Sequence, residues 1–242
     1  MNKKEFVSRH RGLVSFVCRC HNLGSLLRFR IQGKENRVEI PCALLKKTKI
    51  RIHGDHNTVT VGDFSQLNGV SIEIHGSNNQ VVLGSWGTFC GTGIYVEQND
   101  NVVSVGDHAH FYGQADLAAM EGTRLTVGKD CLCSSNIQIR TGDSHAVLDM
   151  RGCRTNPSKD ITIGEHVWLG RDVTILKGSI IGPHCLVGTR ALVTGDLSEP
   201  NCALGGVPAK VLRRDTDWSV HHIAPGTKAP DFVPPDTWEE EP

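Results

Sequence analysis

A chain of 242 residues is long enough for one domain with a small extension. Its 26 Lys+Arg balance 26 Asp+Glu, and this neutral total gives no support to nucleic-acid binding, which shows a basic surplus. No stretch approaches the ~18 apolar residues needed to span a bilayer, and the early patch Leu13 to Cys18 is too short and interrupted for a signal-peptide core. The expectation is a cytoplasmic protein whose nine cysteines are reduced and mostly buried.

The charge is uneven along the chain. Residues 1–30 carry seven Lys/Arg against one acid, Glu5. They read as a short helix or irregular cap, with a basic end that is either solvated or set against an anionic surface or acidic polymer. Cys18-Arg19-Cys20, like Cys131-Leu132-Cys133 further on, lacks the two-residue gap of common zinc knuckles, so no metal is expected. With 26 Gly, 5% aromatics and frequent Val and Ile, the rest reads as β-rich with many tight corners.

Residues 31–213 are a repeat. Segments starting at Ile52, Ile74 and Val96 step by 22 residues, each running from a Gly/Asp/Asn corner into an aliphatic pair followed by Gly. A looser copy begins at Ile31. Later the period shortens, with Ile163, Leu169, Ile175, Ile181, Val187 and Val193 each six apart. Three sixes make one triangular coil of three short strands. The earlier 22-residue coils are then eighteen residues plus a four-residue polar insertion at one corner. One aliphatic side chain per side points inward and stacks on the next coil, and a small residue after it accommodates the corner. Coils spaced at the ~4.8 Å of parallel strands pair their backbones with one another.

The regular half breaks once, over residues 140–160: Arg140-Thr-Gly-Asp143-Ser-His145-Ala-Val-Leu-Asp149 through Asn156-Pro157-Ser-Lys-Asp160. A loop longer than its siblings in a repeat usually marks function. This one holds a histidine flanked by two carboxylates. Ile161-Thr-Ile-Gly-Glu-His166-Val-Trp168-Leu-Gly170 follows. The solenoid ends on Val187-Gly188-Thr189-Arg190 and then Gly206-Val-Pro-Ala-Lys210-Val-Leu-Arg213.

These motifs resemble the hexapeptide-repeat acyltransferases, and the pairing of Thr141-Gly-Asp-Ser-His145 with Asn156-Pro157 and Trp168 resembles the bacterial polysaccharide O-acetyltransferases among them. The common form of that family has Ser where this chain has Gly142. The resemblance implies an all-β, left-handed parallel β-helix with a short N-terminal cap (1–30) and an extended C-terminal arm (214–242). It implies a homotrimer whose donor groove lies between subunits. His145 would then take the proton from the acceptor hydroxyl, and Trp168 would line the acetyl-CoA groove. Gly170, Gly188 and Thr189 would let the pantetheine arm lie close to the backbone. Lys210 and Arg213 would serve the nucleotide phosphates. Arg190 belongs to the same stretch, although Ala-Gly is commoner than Thr189-Arg190 at this point of the family.

The chemistry is consistent with that list. A sugar hydroxyl is a poor nucleophile at neutral pH, and imidazole, which ordinarily titrates near ~6.5, can accept its proton as attack begins. Such general-base help is worth ~10²–10⁴-fold. A carboxylate can orient the ring, and Asp143 is closer in sequence than Asp149. His166 and His184, 18 apart, should stack on successive corners. The expected function is acetyl-CoA-dependent O-acetylation of a glycan or sugar. Alternatives on the same fold are N-acetylation of an amino sugar, O-acetylation of serine, a γ-carbonic-anhydrase-like zinc enzyme and a non-catalytic binding solenoid. The carbonic-anhydrase pattern needs two histidines five residues apart, and no His-x₄-His occurs. Residues 214–242 read as an arm that is either disordered or strapped along a neighbouring subunit by Trp218 and Phe232.

Overall fold

The structure is a computed structural model that describes residues 9–230. Phe232 therefore lies outside the described residues. Between Phe29 and Arg213 the chain winds through short strands collected in three sheets, which are the three faces of a solenoid. The first face runs from Phe29–Gln32 to Leu192–Val193, the second from Arg37–Glu39 to Asp196–Leu197, and the third from Leu44–Lys46 to Ala209–Arg213. Strands pair in parallel with those one coil before and one coil after. The last pair, Ala203–Gly206 with Ala209–Arg213, is antiparallel and closes the third face. The repeat accounts for the three-faced coil, and the architecture is the left-handed parallel β-helix that the resemblance implies.

The packing follows from the spacing. On the first face Ile50, Ile72, Ile94, Leu117, Ile139, Ile175 and Val193 are register partners in one inward column, and each is at most 2% exposed. The six residues spaced by six from Ile163 to Val193 are likewise buried. Corner residues, among them His108, Asp130, His166 and Asp172, take φ of 52–60°, a left-handed conformation that Asn, Asp and His tolerate better than most. Gly170 is fixed by close approach, because a Cβ there would lie 2.7 Å from the carbonyl oxygen of Val187 on the next coil.

The four-residue insertions sit at the corner between first and second faces, and they are wired from inside. Asn36, Asn57, Asn79 and Asn101 form a ladder in which each amide oxygen accepts both the backbone N–H and the side-chain N–H of the next Asn, at 2.9–3.0 Å. The second amide hydrogen goes to a corner carbonyl, such as Gly76 for Asn57 and Gln98 for Asn79. Asn57, Asn79 and Asn101 are fully buried. The ladder ends where Thr123 donates its N–H to Asn101 and its hydroxyl to Thr141, the second bond measuring 2.6 Å. Thr141 opens the long loop.

At the other end, the helix Arg11–Leu26 lies on the edge strand Leu44–Lys46. Asn22 supplies what a preceding coil would have supplied: its amide donates to Ala43 O at 2.8 Å, and its oxygen accepts Leu45 N–H at 2.7 Å. Ser25 Oγ accepts Thr48 N–H. An open sheet edge is thereby covered.

Two outcomes follow. Asn79→Ala leaves the buried N–H of Asn101 without its acceptor and should cost about 2–3 kcal/mol, read as a lowered denaturation midpoint, whereas the exposed Gln80→Ala should move it by less than about 0.5 kcal/mol. Under native conditions a thiol reagent should modify the exposed Cys20 and Cys153 first. Cys131 and Cys185 should resist it, their thiols being pushed up to about 12 and about 11 by burial. Mass mapping reads the order.

Candidate active site

The long loop leaves the solenoid at the same corner that carries the insertions, between Ile137–Arg140 on the first face and Ile161–Ile163 on the second. Its middle is a small antiparallel hairpin. Thr155 N–H donates to Val147 O and Asp149 N–H to Cys153 O, both at 2.8 Å, around a Leu148–Arg154 bridge. Asp149 turns the tip: its Oδ1 accepts the N–H groups of Arg151 and Cys153 at 2.9 Å. These bonds, that from Cys153 foremost, hold its carboxyl below the usual range. Asp149 is thus a turn residue.

Asn156 is the staple of the loop. Its Nδ2 donates to the His145 carbonyl oxygen and to Asp143 Oδ2, both at 2.8 Å, while its Oδ1 accepts Val147 N–H at 2.7 Å. Lys177, one coil on, donates to Asp143 Oδ2 and, at 3.2 Å, to Asn156 O. The hydrogen bonds from Lys177 and then Asn156 hold the Asp143 carboxyl below its ordinary value. A second anchor joins Arg154 to Glu121 Oε1 at 2.5 Å, and Glu121 Oε2 accepts Ser158 N–H at 3.0 Å. Gly142 faces Met120 and Ser158. A Cβ there would lie 2.2 Å from Ser158 Oγ and 2.7 Å from Met120 Sδ, so neighbouring side chains have taken that volume.

The result is an exposed His145 on a backbone tied at both sides. Among the described residues no side chain hydrogen-bonds its imidazole. The Asp143 oxygen that sequence proximity would aim at the ring is engaged by Lys177 and Asn156 instead. On the first face beside the loop, a groove of about 300 Å³ is lined by Glu73, Tyr95, Asp116, Gln138 and Arg140. Arg140 donates to Ser144 Oγ at 2.9 Å and joins groove to loop.

The other expected residues lie on the third face and its corners. Trp168 is 37% exposed between its register partners Leu132 and Leu186. Gly188 follows on the next coil, its N–H donated to Leu204 O. Thr189 and Arg190 form an exposed corner, where Arg190 approaches Asp172 at 3.6 Å. Lys210 and Arg213 are exposed on the closing hairpin. The loop and these residues belong to different faces of one chain.

No periodic signal announces the way residues 216–218 return to this region. Trp218 stacks on His166 of its own chain at 4.3 Å and donates Nε1–H to His166 O at 2.8 Å. It lies 6.0 Å from Trp168. Asp217 lies 3.4 Å from His166 Nε2 and 3.2 Å from His184 Nδ1. Ligand atoms of these three residues lie within 4.8 Å of one another, a set that could hold a metal ion. They are also engaged with one another, and His166 Nε2 is 3.0 Å from Trp218 O. Here the cluster pins the C-terminal segment beside Trp168.

The family described as bacterial transferase hexapeptide (six repeats) matches residues 160–195. A polysialic acid O-acetyltransferase of Neisseria meningitidis is 31% identical over 107 residues, covering 44% of this chain and 50% of that protein. One of Escherichia coli O1:K1 / APEC is 34% identical over 96 residues, covering 39% of this chain and 31% of that one. The crystal structure of the polysialic acid O-acetyltransferase OatWY superposes with a TM-score of 0.76 at 29% identity, over 82% of this chain and 94% of that chain. The chain carries hexapeptide repeats over residues 160–195 and is similar in sequence and in fold to these polysialic acid O-acetyltransferases. The aligned stretches span 31% and 50% of the two curated relatives, while the likeness to OatWY covers 82% of this chain.

The tether of this solenoid's loop should be pH-sensitive. Asp143 has a folded-state pKa below the ~3.9 of a free Asp. Its contribution is therefore fully present above the unfolded value and is lost as pH falls through the lowered folded one. The protection of Val147 N–H, which Asn156 holds, measured against its intrinsic exchange rate, should fall as pH drops below the ~3.9 of a free Asp. In Lys177→Met it should already be lower at neutral pH.

Proposed function

We propose that the protein is an acetyl-CoA-dependent O-acetyltransferase acting on a hydroxyl of a glycan or sugar, with His145 as general base. The observation that carries this reading is His145 itself: an accessible imidazole on the one long loop of the solenoid, its backbone locked by Asn156. The O-acetyltransferases named above point the same way.

In this reading the acceptor oxygen attacks the thioester carbonyl carbon while His145 accepts its proton. The tetrahedral intermediate collapses with cleavage of the C–S bond. The imidazolium returns the proton to the leaving sulfur, giving the acetyl ester and CoA. No metal is called for, since the imidazole carries the proton in both directions. Asp143 is a positioning residue that holds the loop through Asn156 and Lys177. Glu73, Tyr95, Asp116 and Gln138 offer a sugar an aromatic ring with polar groups around it, and this groove is the proposed acceptor site.

For the donor, Trp168 and Trp218 supply an aromatic wall, and Gly170, Gly188 and Thr189 leave room for the pantetheine arm. Arg190, Lys210 and Arg213 supply cations for the nucleotide phosphates. His145 and this wall lie on separate faces, which fits a homotrimer in which one subunit's loop meets the next subunit's donor face. The loop side chains Val147, Leu148 and Met150, 55%, 58% and 102% exposed, are apolar surface for such a contact. Nine unpaired thiols fit a cytoplasmic protein.

With labelled acetyl-CoA and a glycan acceptor, His145→Ala should lower kcat by ~10²-fold or more. Trp168→Ala should act mainly by raising KM for acetyl-CoA. A His145→Ala enzyme within a few fold of the parent would exclude the assignment.

A further inference from the structure

The helix Arg11–Leu26 is inverted. A helix on a folded domain ordinarily turns its apolar stripe inward. Here the inward residues are Cys18, Asn22 and Ser25, and the last two act through hydrogen bonds to the third-face edge. Leu13, Phe16, Val17, Leu23 and Leu27 recur at helical three- and four-residue spacing on the opposite side, and each is 55–71% exposed. Cys20 lies in the same stripe and is also exposed. This patch is continuous, unlike the scattered apolar residues of an ordinary surface.

The charge on the segment itself has one sign, with Arg11 paired to Asp63 of the solenoid at 2.8 Å. From residue 9 to residue 34 the chain carries Arg9, Arg11, Arg19, Arg28, Arg30 and Lys34, and no Asp or Glu. Arg19 flanks the stripe on the helix itself. A groove of about 970 Å³ opens beside it, lined by Leu23, Leu26, Phe29 and Val38 together with Arg19 and Glu39. Apolar side chains along one side of a helix, bordered by arginines, match the boundary between acyl chains and anionic headgroups. No helix among the described residues is long and apolar enough to cross a membrane, so this helix would lie in the plane of the surface.

We propose that the helix Arg11–Leu26 docks the protein on an anionic lipid surface, with Phe16, Leu23 and Leu27 entering the acyl boundary and Arg19, Arg28 and Arg30 meeting the headgroups. The surface lies at the start of the solenoid, away from the loop and from the third-face residues of the proposed active site. Binding is therefore separable from turnover.

The test is co-sedimentation of the full chain with vesicles of phosphatidylcholine alone and of phosphatidylcholine mixed with phosphatidylglycerol, at low and high salt. The parent protein should pellet with the anionic vesicles, about tenfold less with the neutral ones, and less as salt rises. Phe16→Ser with Leu23→Ser, and separately Arg19→Glu, should each weaken pelleting about tenfold or more while leaving the circular dichroism spectrum and acetyl transfer to a soluble acceptor unchanged. Three results would overturn the proposal: no pelleting with anionic vesicles, equal pelleting with neutral ones, or equal pelleting of the double variant. A solution mass that falls in the Phe16→Ser, Leu23→Ser variant would also overturn it, by assigning the stripe to contact between copies of this chain.

Discussion

The buried asparagine ladder is the constraint on which the rest of this structure depends. A solenoid of identical short strands has little to fix where one coil sits on the next, because aliphatic columns tolerate sliding. Asn36, Asn57 and Asn79 remove that freedom, since each amide oxygen takes two hydrogen bonds from the asparagine one coil on. Buried amides are costly unless every group is satisfied, so one register alone meets the demand. The column then passes through Thr123 to Thr141, and the long loop leaves from a fixed point.

From that point the loop is held by charge and amide contacts. Lys177 and Asn156 converge on Asp143, Arg154 and Ser158 converge on Glu121, and the His145 backbone is gripped between them. A general base works best when its position is set before the substrate arrives. For His145, the proposed base, the loop backbone supplies the position and leaves the imidazole exposed. Trp168 gains a comparable support from Trp218, itself pinned by Asp217 and the two corner histidines.

Much of this was legible in the sequence, for a definite reason. Ile163 through Val193 are buried at six-residue steps because one inward side chain per face is all the prism admits, and that rule writes itself as a period. The 22-residue steps and the break at residues 140–160 were readable in the same way. What stayed hidden are contacts that join residues far apart without a period. Lys177 meets Asp143 across 34 residues, and Trp218 meets His166 across 52. Asn57 and Asn79 repeat visibly, but a corner asparagine reads as solvated until the inner course of the corner is known. The N-terminal segment misleads in the opposite sense, because its apolar spacing suggests a buried stripe and the buried side is Asn22 and Ser25.

The account turns on His145 acting as a base from a loop whose geometry is already set. The measurement that bears on it most directly is the pH dependence of kcat/KM for acetyl transfer in the parent protein and in His145→Gln. The account predicts an acid limb in the parent, falling about tenfold per pH unit as imidazole is protonated, and a flat, much lower profile in His145→Gln. An acid limb of the same slope and position in both proteins would assign the base to another group and contradict the account.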